Sequence, residues 1–138
     1  MKYTTFGFWA LALMLAAALA APARAHHSFA AQYDATKPVT LTGAVTKIEW
    51  NNPHVYFYID VKDDKTGKVA NWAFEMGAPA VIQRSGWTRN TMKIGDLVTV
   101  NGTRAKNGAN HGNARNVVMT STGKKLGAGS SEGQTPEQ

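Results

Sequence analysis

Two stretches of strict alternation restrict this chain more than anything else in it. Residues 54–61 (HVYFYIDV) set Val55, Phe57, Ile59 and Val61 on one side against His54, Tyr56, Tyr58 and Asp60 on the other. Residues 69–76 (VANWAFEM) do the same, with Ala70, Trp72, Phe74 and Met76 opposite Asn71 and Glu75. Two is the side-chain period of a half-buried strand, so each stretch reads as a strand with one face on a core. The residues between them (DDKTGK) hold the glycine that a hairpin loop uses. Only an odd-to-even pairing joins the two apolar faces, and pairing Lys62 with Val69 opposes Ile59 to Trp72 and Phe57 to Phe74. On the outer face that register opposes Tyr56 to Glu75 and leaves His54 diagonal to Glu75, within side-chain reach.

The flanking sequence supplies the rest of a small β domain. In residues 39–50 (VTLTGAVTKIEW) Val39, Leu41 and Val45 share a face, then the phase changes so that Ile48 and Trp50 point inward. Gly43 and the phase change predict a bent or bulged strand. Pro79 suits the first position of a helix and Gly86 its stop, giving about two turns. A Gly-Asp turn then leads into a strand with Val98 and Val100 inside, and a Gly/Asn-rich loop (KNGANHGNA) leads to a last strand around Asn116 to Ser121. Three strands, a short helix and two strands is the order of a small five-stranded OB-like barrel, so the fold class is mainly β with one short helix between strands three and four.

The ends read differently. Lys2, an uncharged apolar run over residues 6–21 and Ala23-Arg24-Ala25 form the pattern of a secretory leader, assigned to residues 1–25, with cleavage after Ala25 favoured and Ala21 and Ala23 offering a second site after Ala23. Its core is shorter than the roughly 20 residues a spanning helix needs, so no permanent membrane anchor is expected. The expected location is the periplasm. Residues 26–37 form an N-terminal arm, 38–122 the OB-like domain, and 123–138, with little to bury, a disordered tail. The leader takes Lys2 and Arg24 with it, so the 15 basic and 9 acidic side chains become 13 and 9, and these are scattered. Without a basic cluster, nucleic acid is not an expected partner. There is no cysteine, which excludes disulfides and thiolate metal sites.

The segments AHHSFAAQYD, KPVTLTG, EWNNPH, NWAFEMG and NGTRAKNG resemble a family of small exported bacterial proteins of unknown function, with His-His-Ser-Phe after the leader and an Asn-Pro-His segment further on. The resemblance covers nearly the whole processed chain to about Leu126. It implies export and a barrel fold, and no activity.

Chemistry must therefore come from the residues. Cleavage after Ala25 makes His26 the first residue, whose free amine and ring nitrogen close a chelate on one metal ion. His27 or His54 supplies a second imidazole, and nitrogen ligands in a tetragonal plane favour Cu(II). The metal candidates are His26, His27 and His54, with Cu(II) the possible cofactor. A non-metal alternative is a ligand- or protein-binding module on the outer face of strands two and three, using Tyr56, Tyr58, Asn71 and Glu75, with a small ligand or envelope partner. A histidine-brace copper oxidoreductase is a third reading. Paired carboxylates, a Ser/His/Asp set and a phosphate loop are all missing, so a role other than enzyme is favoured and no catalytic residue is assigned. His111, in a glycine-rich loop, is expected to face solvent.

Overall fold

The computed structural model describes residues 29–129; the leader, His26, His27 and the end of the tail lie outside the described residues. After one helical turn at Phe29–Gln32 the chain forms β1 (Tyr33–Trp50), β2 (Val55–Lys62) and β3 (Val69–Glu75), then the helix Pro79–Arg84. β4 (Leu97–Ala105), β5 (His111–Met119) and β6 (Lys125–Gly127) follow. The protein is mainly β. Its six strands lie in the order β3-β2-β1-β4-β5-β6, and an added β3–β5 pairing closes the first five into a ring. Neighbours are antiparallel except at that closure, where Ala73, Phe74 and Glu75 run parallel to His111, Gly112 and Asn113.

The β2–β3 register is the one the alternation dictates: Tyr56 opposes Glu75, Phe57 opposes Phe74, Ile59 opposes Trp72 and Lys62 opposes Val69. β1 serves two neighbours. Its first half pairs with β4 and its second half, from Ala44, pairs with β2, with a bulge between Val45 and Lys47 at the predicted phase change. Gly43 marks the turn from one partner to the other, because a Cβ there would stand 2.4 Å from the Asp60 carbonyl oxygen.

The ring encloses one apolar core in which Phe57, Ile59, Phe74, Val98, Val100 and Val117 are completely buried. Burial of such side chains is the main favourable term in a domain of this size. The helix Pro79–Arg84 contributes Ile82, and Trp87 seals the same end by donating Nε1–H to the Gly127 carbonyl at 2.7 Å.

Three boundaries differ from the sequence expectation. β1 begins at Tyr33, inside the stretch assigned to the arm, because Tyr33 pairs with Ala105. The last strand begins at His111, five residues before the expected Asn116, because its first residues pair with β3 rather than running on as loop. The stretch from Gly123 is ordered as far as it is described: β6 pairs with β5, and Leu126 and Ala128 are buried. A lone leucine among Gly and Lys is a sparse signal for folding, yet the apolar surface it needs lies beside Trp87.

Candidate functional site

The outer face of β2 and β3 carries a polar cluster at the end where the ring closes. Glu75 projects from the last residue of β3, beside its cross-strand partner Tyr56 and diagonal to His54 just before β2. An outward-facing carboxylate would normally be solvated, but Glu75 is only 5 % exposed. Tyr33, at the start of β1 and 2 % exposed, lies over it. The Tyr33 hydroxyl donates to Glu75 Oε2 at 2.5 Å, and the His54 ring donates from Nδ1 to Glu75 Oε1.

His111 joins from β5. The parallel closure sets it beside Ala73, on the same face as Glu75, and its Nε2 lies 3.1 Å from the Tyr33 hydroxyl with the rings edge to face at 5.5 Å. Gly112 permits this approach, since a Cβ there would meet the Phe74 ring at 2.8 Å. Tyr56 also lies near His111, ring centroids 6.2 Å apart.

The hydrogen bonds fix which nitrogens carry protons. A carboxylate only accepts, so the His54 nitrogen facing Glu75 is the protonated one, and the lone pair of the neutral ring sits on Nε2. The single Tyr33 proton goes to Glu75, at a distance typical of a charge-assisted bond. Burial, then the Glu75 hydrogen bond, drive the Tyr33 phenol far above its ordinary pKa, which keeps that proton in place. Tyr33 therefore accepts from His111 Nε2–H, and the neutral His111 ring has its lone pair on Nδ1. Burial, followed by Glu75, raises the Tyr56 phenol in the same way.

Burial lowers the pKa of His111, with the Glu75 charge opposing it in part. The unfolded chain, with a histidine near 6.5, thus takes up a proton before the folded chain does. Stability owed to neutral His111 is complete above about pH 6.5 and is lost as the pH falls below it, until the folded ring protonates too. Thermal melts between pH 7.5 and pH 5 should show this loss, and it should shrink in His111→Gln. Equal pH profiles for the two proteins would refute it.

The other expected site residues lie elsewhere. Tyr58 donates to Glu49 at 2.9 Å and lies under the Lys47 ammonium at 5.0 Å. Asn71 donates to Asp60 at 2.7 Å and to Thr46 at 3.1 Å. Both belong to cross-strand networks over the β1–β2–β3 surface, apart from the Glu75 cluster. His54, Tyr56 and Glu75 stand together, while Tyr33 and His111 are members that the sequence pattern does not assign to the site. His111 is half-buried rather than solvent-facing. Its only sequence signal is being a histidine close to the last strand.

Among the described residues no three His, Asp or Glu side chains form a metal cage by themselves. Residues 14–115 match a family described as a family of unknown function, DUF6152. The chain belongs to this family. No curated protein and no solved structure matches it. The match spans all five members of the cluster, so the arrangement lies within the DUF6152 region, and it brings no activity with it.

Proposed function

We propose that this DUF6152 chain is an exported, periplasmic binding domain, an OB-like barrel that takes up Cu(II) through His26 and His27 at its processed N-terminus together with His54. One observation carries the reading: Glu75 holds the His54 ring through Nδ1, leaving Nε2 as the donor. A carboxylate behind an imidazole is the usual outer support of a metal ligand, setting its tautomer and raising its basicity. Among the described residues the ring has no other hydrogen-bond partner, and its side chain keeps 29 % exposure, enough for an ion to reach it.

The course of the arm supports the same reading. Phe29 stacks against Tyr33 at 5.3 Å, Lys106 Nζ donates to the Ala30 carbonyl at 2.6 Å, and Lys106 N–H donates to that of Gln32 at 2.9 Å. The part of the arm from Phe29 onward is thus fastened beside the cluster. Imidazole and amine nitrogens, with no thiolate available, suit Cu(II) above other divalent ions.

Titration of the chain processed to begin at His26 should show one tightly bound Cu(II) per protein. His54→Ala should weaken that binding by more than the roughly 10- to 100-fold that removing an outer partner costs. An unchanged affinity in His54→Ala would leave the N-terminal histidines binding copper as any exposed peptide does, and would end the proposal.

A further inference from the structure

Independently of the copper reading, we infer that the Asn107–Gly108 peptide in the β4–β5 loop is a site of spontaneous, one-way modification, where Asn107 cyclises onto the Gly108 backbone nitrogen and reopens as isoaspartate or aspartate. Of the asparagines in the chain only Asn101 and Asn107 precede glycine, the residue whose missing side chain leaves its nitrogen open to attack a neighbouring amide. The fold treats these two differently.

Asn101 lies inside the sheet, opposite Thr40 of β1 and Asn116 of β5, with its Oδ1 accepting from the Thr40 hydroxyl and its Nδ2 donating to Asn116 Oδ1, both at 2.9 Å. The next residue is pinned too, since a Cβ on Gly102 would stand 2.1 Å from the Asn113 carbonyl oxygen. Turning that side chain onto its own backbone would break both bonds inside a paired ladder. Asn107 has none of these restraints. It and Gly108 are exposed, Gly108 has a φ of 76°, and nothing lies within 4 Å of where its Cβ would be. The Gly108 N–H reaches the Ala105 carbonyl only at 3.4 Å, beyond the usual range, so little holds that nitrogen back. On the amide, Nδ2 bonds to nothing among the described residues, while Oδ1 accepts the Ala109 N–H at 3.0 Å. That donor points at the oxygen on which negative charge gathers as the nitrogen adds, which stabilises the tetrahedral intermediate.

In the reaction Gly108 N forms a bond to Asn107 Cγ and gives up its proton, and the Cγ–Nδ2 bond breaks as Nδ2 leaves as ammonia. Water then opens the cyclic imide, at Cγ to give aspartate or at the main-chain carbonyl to give isoaspartate. One water is consumed and one ammonia released, and nothing is oxidised or reduced. The position gives the product a consequence. Just before it, Lys106 holds the arm through its N–H to the Gln32 carbonyl and its Nζ to the Ala30 carbonyl. Just after it, the Asn110 carbonyl accepts the Ala73 N–H at the ring closure, and Arg104 Nη2 donates to the Gly108 carbonyl at 2.9 Å. Isoaspartate routes the main chain through Cγ, so it adds a backbone atom between these fastenings and loosens both. Aspartate brings the charge without the extra atom.

The folded full-length chain, kept in mildly alkaline buffer, digested with trypsin and mapped by mass spectrometry, gives the test, because cleavage at Arg104 and Lys106 puts the two sites on separate peptides. The Asn107 peptide should gain the mass of an amide-to-acid exchange, located at Asn107 by fragmentation, and split into isoaspartyl and aspartyl forms, while Asn101 stays unchanged. In urea both should convert. Gly108→Ala should slow the conversion of Asn107, and an unchanged Asn101 in the same sample reports that the sheet is intact. If Asn107 survives as long as Asn101 in the folded chain, or if the two convert equally there, the inference is overturned. Backbone amide exchange at Ala73 and Lys106 should quicken in the isoaspartyl chain and not in Asn107→Asp. Equal exchange in those two proteins would refute the loosening.

Discussion

Phe74→Ala is expected to lower folding stability by about 3 to 5 kcal/mol. Phe74 is fully buried in the ring, stacked on Phe57 at 5.6 Å and on Trp72 at 6.1 Å, and the Gly112 backbone presses on its edge. Three strands meet at this side chain. Because Gly112 approaches only as close as the phenyl allows, truncation removes both the core contact and the surface that seats the β3–β5 closure. A single-domain protein holds about 5 to 15 kcal/mol in total, so the variant should lie close to its unfolding threshold. Urea denaturation followed by tryptophan fluorescence measures it. A loss below about 1 kcal/mol would mean that the ring closure is not built on Phe74. Trp72, which the alternation also places inside, is only partly buried, at the rim with the Arg104 guanidinium 5.3 Å away, and its truncation should cost less.

Glu75→Ala should be comparably severe, at about 3 to 5 kcal/mol, for a different reason. Removing the carboxylate deletes the common acceptor of the Tyr33 hydroxyl and the His54 ring, and Tyr33 has no water within easy reach at 2 % exposure. A buried donor left without a partner costs its full desolvation, and here the fastening of β1 over β3 depends on it. Glu75→Gln keeps the shape and one acceptor oxygen while turning an amide toward one of the two donors, so it should fall between wild type and Glu75→Ala. Equilibrium unfolding of the three proteins at pH 7.5 gives the order. Equal stability of wild type and Glu75→Ala would show that the donors are satisfied without Glu75, and the cluster would lose its central member.

Much of the fold is legible in the sequence because period-two burial is a local property. Val55 to Val61 and Ala70 to Met76 must place alternate residues in a core whatever surrounds them, and matching the two apolar faces leaves one register. That register sets Tyr56 against Glu75 and His54 beside it, so three of the five cluster members follow from residue spacing alone. The β1 bulge is equally visible, since the shift from Val45 to Ile48 cannot be accommodated without an extra residue. Tyr58 and Asn71 show where such inference stops. Alternation locates the outer face correctly, but the partners of these two side chains, Glu49, Asp60 and Thr46, come from the neighbouring strands.

The sequence by itself determined five of the six strands in outline, the hairpin register and the short helix, because each follows from spacing along a few consecutive residues. The tertiary structure alone decided three things: that β5 begins at His111, that Tyr33 closes over an outward-facing carboxylate, and that Leu126 finds a buried place beside Trp87. All three are contacts between residues distant in the chain, made at the ring closure or across its open end. No local pattern encodes them, since a tyrosine, a histidine or a single leucine carries the same propensity in a loop as at such a junction. What fixes them is that the ring has one way to shut, and whatever lies at the seam is buried with it.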